Sequence, residues 1–254
     1  MTTEHSIAQA FSELRDKSLS FAKRLGCPWI DTGGGDCKAY QRRCLYIHAS
    51  GALNTAKSYW ILHENKCFSD CVILARNLLE RIISSSVGAK SPTHAVELIS
   101  HELSDKIRRA KLWTPSPSIA TKLSDMIKDH EKILPTFLGL IGKGEAPAWD
   151  LKKRFDEAGL PGFYRSLYFE FSRYAHAGYE VPRPVNYNRQ SKAADFIALA
   201  APVITAGNCH LVDCPDCKQG KCGVHEESMA LLEDFSSQVL ENTSGRIGER
   251  TDKA

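Results

Sequence analysis

Much that would identify a function quickly is missing from this sequence of 254 residues. No run approaches the roughly eighteen apolar residues that a membrane-spanning helix needs, so no membrane partner is expected. The opening stretch, MTTEHSIAQAFSELRDK, lacks the basic, apolar and small-residue succession of a secretory signal. The expected location is therefore the cytoplasm, where thiols stay reduced. No segment alternates apolar and polar residues as a half-buried strand does, and there is no internal repeat or low-complexity tract. A Gly-x-Ser-x-Gly elbow is absent, and the pair His63-Glu64 has no second histidine to complete a His-Glu-x-x-His zinc motif. The glycines at 33, 34 and 35 are not followed by the Gly-Lys-Ser/Thr of a phosphate loop. The net charge of +3 is too small to imply nucleic acid by itself.

What is present is ordinary in bulk and helical in pattern. Hydrophobic residues make up 43% of the chain and charged ones 25%, as in a globular protein long enough to bury a core without crosslinks. Ile7, Phe11, Leu14, Ser18, Phe21 and Leu25 form one stripe of an amphipathic helix that Gly26-Cys27-Pro28 ends. From Asp36 to Ser86 the pattern predicts one long helix or two in line, with Gly51 as a break and Gly88 as the closing cap. Ser91-Pro92 and the 114–118 segment TPSPS each open a further helix, ending near Trp113 and Ile141. A shorter helix fits Pro147 to Ala158, an aromatic one 162–178, and two more 190–206 and 226–242, with YEVPRPVNYN as a proline-broken loop. The fold class is all-α, a bundle of about seven to nine helices.

The aromatic helix GFYRSLYFEFSRYAHAG carries Arg165, Tyr168, Ser172 and His176 at steps of three and four, so they project from nearly one face. Arg76 and Glu80 interrupt the apolar face of the 67–88 helix, and charges placed there need partners. Glu80 could meet His176, and Arg76 could meet Glu170 or the Tyr168 hydroxyl. The pattern R-x3-E followed by Y-x2-[L/F]-S-x3-H, here Arg76, Glu80, Tyr168, Phe171, Ser172 and His176, resembles a bacterial family of helical proteins of unknown function. The resemblance covers roughly residues 55–180. Such proteins are distantly similar to the HEPN-type helical domains shared by prokaryotes and higher eukaryotes. Many of those are metal-independent RNases of toxin and antiphage systems, marked by an arginine four to six residues before a histidine. The family resemblance implies a helical bundle and gives no established activity; the distant HEPN-type similarity adds the expectation of an activity on RNA phosphodiesters. Arg165, Arg173 and His176 would act, supported by Arg76, Glu80, Tyr168 and Ser172.

This chain departs from the RNase signature. Only two residues separate Arg173 from His176, and the one spacing that fits is Arg43 to His48 in RRCLYIH, on another helix. Cleavage would need a cation near the scissile phosphate and an imidazole to move protons, and either set has those residue types. The same row also reads as a satisfied network that fixes helix register. Basic clusters at 38–43, 106–111 and 152–154, with Arg183, Arg189 and Lys192, lie near Tyr40, Trp113, Tyr164 and Tyr187. They read either as an RNA surface or as solvated helix faces.

The densest chemistry is HLVDCPDCKQGKCGVHE, residues 210–226. Cys214, Cys217, Cys222 and His225 have the ligand types and spacing of a closed structural zinc site, with Cys209 and His210 as alternates. Gly220 relieves the turn, and Lys218 and Lys221 offset thiolate charge. A redox pair of Cys214 and Cys217, or an iron–sulfur cluster drawing on Cys27, Cys37 and Cys44, are the competing readings. Cys67 and Cys71 read as core thiols. The expected organisation is one helical domain over 1–242, a Cys/His zinc-knuckle hairpin over 207–226 near the C-terminus, and a polar tail over 243–254. The function expected is that of a HEPN-like RNase or RNA-binding protein. The alternative is a non-enzymatic antitoxin, adaptor or sensor stabilised by Zn2+. Expected partners are RNA or a protein encoded nearby, and the chain could self-associate as a homodimer.

Overall fold

The computed structural model describes residues 2–25, 35–113, 116–175, 184–218 and 222–244. Its side chains are described over 12–25, 35–113, 116, 119–172, 191–216 and 222–237. The described residues form nine helices and no strand. They are α1 (Thr2–Leu25), α2 (Cys37–Glu64), α3 (Phe68–Lys90), α4 (Pro92–Leu112), α5 (Pro117–Leu140), α6 (Leu151–Glu157), α7 (161–175), α8 (Pro184–Asp213) and α9 (Val224–Ser244). A single helical turn, Pro215–Lys218, links the last two.

Local chemistry sets several of the boundaries. Asp36 caps α2 by accepting from the Ala39 amide at 2.8 Å, and Asp150 caps α6 by accepting from Lys153 N at 2.8 Å. Ser91 accepts from His94 N at 3.1 Å, with Pro92 in the first turn of α4, as the sequence predicts. Gly51 does not break α2, because the helix runs through it. The break falls at Asn65-Lys66, where Lys66 takes φ 59° and Cys67 N bonds back to Leu62 O at 2.9 Å. Gly88 is not the cap of α3 either. It is buried inside the helix, and a Cβ there would lie 3.6 Å from Leu45 and 3.7 Å from the Cys44 sulfur. A methyl group there would make only ordinary contacts, so the position is packed helix interior and not a stop.

The turn at Lys66 folds α3 back on α2, and α8 packs across both. Their interlocking faces are rich in alanine: Ala52 and Ala56 on α2, Ala75 on α3, and Ala194, Ala198 and Ala201 on α8, all buried. Leu78, Leu79, Ile82, Ile83, Ile197, Leu199 and Val203 fill the space between. Around this trio α1 and α9 lie on α8, α4 lies on α2 and α3, and α5 packs outward on α4. Ser191–Asp213 is long and apolar enough, by length and composition, to cross a membrane. In the structure that segment is the central helix of the core, 67% of its most apolar window being buried. Helix α8 also starts earlier and ends later than the sequence predicts. It takes in part of the expected proline-broken loop and residues 207–213 of the expected hairpin.

Candidate functional site

Helices α3 and α7 bring the predicted polar row partly together. Helix α7 begins as Pro161–Phe163, passes through a π-helical stretch, Tyr164–Tyr168, and ends as Phe169–Ala175. One extra residue in that turn shifts the register of the rest of the helix, a device frequent at functional sites. At its end the Tyr168 hydroxyl accepts from Arg76 Nη2 at 2.7 Å and donates to Glu80 Oε1 at 2.9 Å. Arg76 Nε completes the triangle at 3.2 Å from Glu80 Oε1, and its guanidinium lies 5.0 Å over the Tyr168 ring. Burial, reinforced by the Glu80 charge, pushes the Tyr168 hydroxyl above its ordinary pKa, so it stays a proton donor. Phe155 and Tyr164 pack against the same ring, Tyr164 stacked at 5.7 Å.

Of the other residues in the row, Ser172 spends its hydroxyl on the Tyr168 carbonyl at 2.8 Å, and Arg165 is exposed on the outer face. The Arg173 side chain and His176 lie outside the described residues. Arg76 therefore meets the Tyr168 hydroxyl, one of the two partners its position suggests. Glu80 takes both that hydroxyl and Arg76.

The cysteine cluster is assembled by the end of α8. His210 and Cys214 are one helical turn apart, with Cys214 N bonding His210 O at 2.9 Å, so both face the returning chain. There Cys222 Sγ lies 3.4 Å from His210 Nε2, and one ligand atom each of His210, Cys214 and Cys222 lies within 4.8 Å of the others. His225 is exposed and is not part of this group. The histidine of the cluster is the alternate, His210, because residues 207–213 continue the helix and present it at the i, i+4 step. Cys209 points into the core and is disulfide-bonded, so it offers no thiolate. The Cys217 side chain lies outside the described residues. Cys37 and Cys44 stand apart from the triplet, and burial pushes the Cys44 thiol up to about 12.

The basic clusters are largely occupied. Arg108 and Arg109 both bridge Asp105, Lys111 bridges Glu131, Arg42 bridges Asp213 and Lys152 bridges Asp156. Tyr40 packs edge-on against Phe137. Trp113 is exposed, while Arg183, Tyr187 and Arg189 lie outside the described side chains.

Two buried polar groupings are not apparent in the sequence. Asp195 accepts from the Tyr59 hydroxyl at 2.6 Å and stands 3.5 Å from His63 Nε2, and burial pushes its carboxyl pKa up. Arg154 is buried; it donates to Trp149 O at 2.9 Å, Ser84 Oγ at 3.0 Å and Glu102 Oε1 at 3.1 Å. Charged residues 52 or more positions apart leave no local trace of such pairing. Only their places on otherwise apolar helix faces hint at it.

The fold and the α3–α7 site define an all-helical protein with a charge-bridged tyrosine at a π turn. The chain belongs to a family of unknown function, DUF5677, whose model matches residues 43–189. No curated protein and no solved structure matches it. The matched span holds Arg76, Glu80, Tyr168, Ser172 and His176, and it ends before the cysteine cluster.

Proposed function

We propose that the chain acts on RNA, as a metal-independent endoribonuclease or RNA-binding protein of the HEPN-like kind, in a bacterial toxin or antiphage setting. The observation that supports this reading is the Arg76–Tyr168–Glu80 triangle at the π turn. It keeps a partly exposed guanidinium in place, and Arg165 is exposed three residues before Tyr168 on the same helix. In this proposal Arg76 and Arg165 meet phosphate oxygens and offset charge as the 2′-hydroxyl attacks, and His176 takes the attacking proton. The test is incubation of labelled total RNA in chelator with the wild type and with His176→Ala and Arg165→Ala. Cleavage that persists in chelator and is lost in both variants supports the enzyme. Intact RNA that also shows no retention by the protein overturns the proposal.

A second reading is favoured by one observation, the convergence of His210, Cys214 and Cys222. In it the chain is a zinc-stabilised interaction protein. Two thiolates and an imidazole are a donor set that suits zinc, with Cys217 as the fourth ligand. Full protein coordination would make the ion structural, clamping α8 to α9. Metal analysis of purified protein tests it: about one zinc per chain, lost together with thermal stability in Cys222→Ser. A metal-free wild type of unchanged stability would remove the ion from the account.

A further inference from the structure

Two side chains in the groove shared by α2, α3 and α4 have unmet polar chemistry. The Nδ1 of His48 is buried and bonds to no described group. One turn further along the same face of α2 is Gly51, and the Arg81 guanidinium of α3 lies in the notch this glycine leaves. A Cβ at position 51 would fall 2.0 Å from Arg81 Nη1. Arg81 Nε donates to Asn77 Oδ1 at 3.0 Å, and Nη1 reaches only the Ile47 carbonyl, at 3.5 Å. No carboxylate is paired with it among the described residues. The cost of burying this cation exceeds its attraction to Glu102 and Glu80, which leaves its pKa below the ordinary arginine value.

The carboxylate that acts most strongly on Arg81 is already committed. Glu102 Oε1 pairs with Arg154 at 3.1 Å, and Arg154 gives its remaining bonds to Ser84 and the Trp149 carbonyl. His48 feels Glu102, Arg81 and Arg154 together. Both carboxylates that act on Arg81 are thus paired elsewhere, Glu102 with Arg154 and Glu80 with Arg76, so neither is bonded to Arg81. The Glu102 side chain is 42% exposed to solvent.

A half-buried cation without a counterion is costly, and so is a buried ring nitrogen without a partner. A single small oxyanion seated at the notch would satisfy both. We propose that the Gly51 notch binds a phosphate-class oxyanion, with Arg81 as its cation and the Nδ1–H of neutral His48 as a second donor. Glycine is required there because any side chain would occupy the place of the guanidinium head. This assignment is independent of the α3–α7 triangle and stands whether or not the chain cleaves RNA.

The probe is inorganic phosphate, titrated at constant ionic strength against chloride and followed through the His48 imidazole resonances by NMR. In the wild type phosphate shifts those resonances and raises the His48 pKa from about 4, because a bound anion favours the imidazolium. Arg81→Gln should weaken the interaction about tenfold or more. Gly51→Ala is the second variant and guards against a folding defect. Alanine suits a helix, so the fold is kept while the flexible Arg81 head is pushed aside, and phosphate binding should fall similarly. Resonances of His48 that ignore phosphate, or equal binding by wild type and both variants, would overturn the site.

Discussion

At the scale of single residues, His48 is tuned to stay neutral. Burial, opposed by the charge of Glu102 and aided by those of Arg81 and Arg154, lowers its pKa from 6.5 to about 4. The unfolded chain therefore takes up a proton, between pH 6.5 and about 4, that the folded chain refuses. The contribution is complete above 6.5 and is lost as pH falls through that window, amounting to about 3 kcal/mol. Urea denaturation at a series of pH values should show stability dropping across it, and His48→Gln should flatten the drop. A slope unchanged by the substitution would place the titrating group elsewhere. Tyr59 offers a second residue-scale expectation. Its hydroxyl is the close donor, at 2.6 Å, to the buried Asp195 carboxylate. Tyr59→Phe strands that acceptor and should cost about 1–3 kcal/mol, read as a lower denaturation midpoint with an unchanged slope.

At the scale of helices, the α2–α3 turn is made by a residue ill suited to it. Lys66 holds φ 59°, a conformation in which its Cβ crowds the carbonyl oxygen. Lys66→Gly should raise stability by about 0.5–1 kcal/mol, checked by the same denaturation midpoint. This turn also marks where the sequence misleads. Gly51 and Gly88 look like punctuation, yet one is a notch for Arg81 and the other lies buried inside α3. The true break carries no glycine or proline. Helix starts are easier to read, because Ser91-Pro92 states its capping chemistry within two residues. The Arg76–Tyr168 contact is legible from two polar positions on otherwise apolar faces. The π turn that makes it possible leaves no mark in periodicity, since a one-residue register slip looks like ordinary scatter. The spacing favours His225 over His210 for a related reason: a hairpin over 207–213 hides the i, i+4 pairing of His210 with Cys214 that the helix creates.

At the scale of the whole molecule, the family match and the core do not coincide. The match ends at residue 189, six residues into α8, whereas the buried residues described on that helix run from Ala194 to Cys209. The helix packs against α2 and α3, and it also carries α1 and α9. Ile197, Leu199 and Val203 are each fully or almost fully buried. At about 1.5–3 kcal/mol apiece they supply roughly 5–9 kcal/mol, as much as the whole net stability of a typical domain. A fragment cut to 43–189 would therefore keep every residue of the α3–α7 triangle and lose the surface that holds α2 and α3 together. It should retain helical far-ultraviolet dichroism but melt without a cooperative transition and bind a hydrophobic dye, as loosely packed compact states do. Extending the fragment to 213 should restore the cooperative transition, because α8 is then complete. A cooperative melt in the shorter piece would mean that α2, α3 and α4 form a core without α8. The cysteine cluster at the end of that helix would then be an appendage, and no longer the point where α9 is fastened to the centre of the fold.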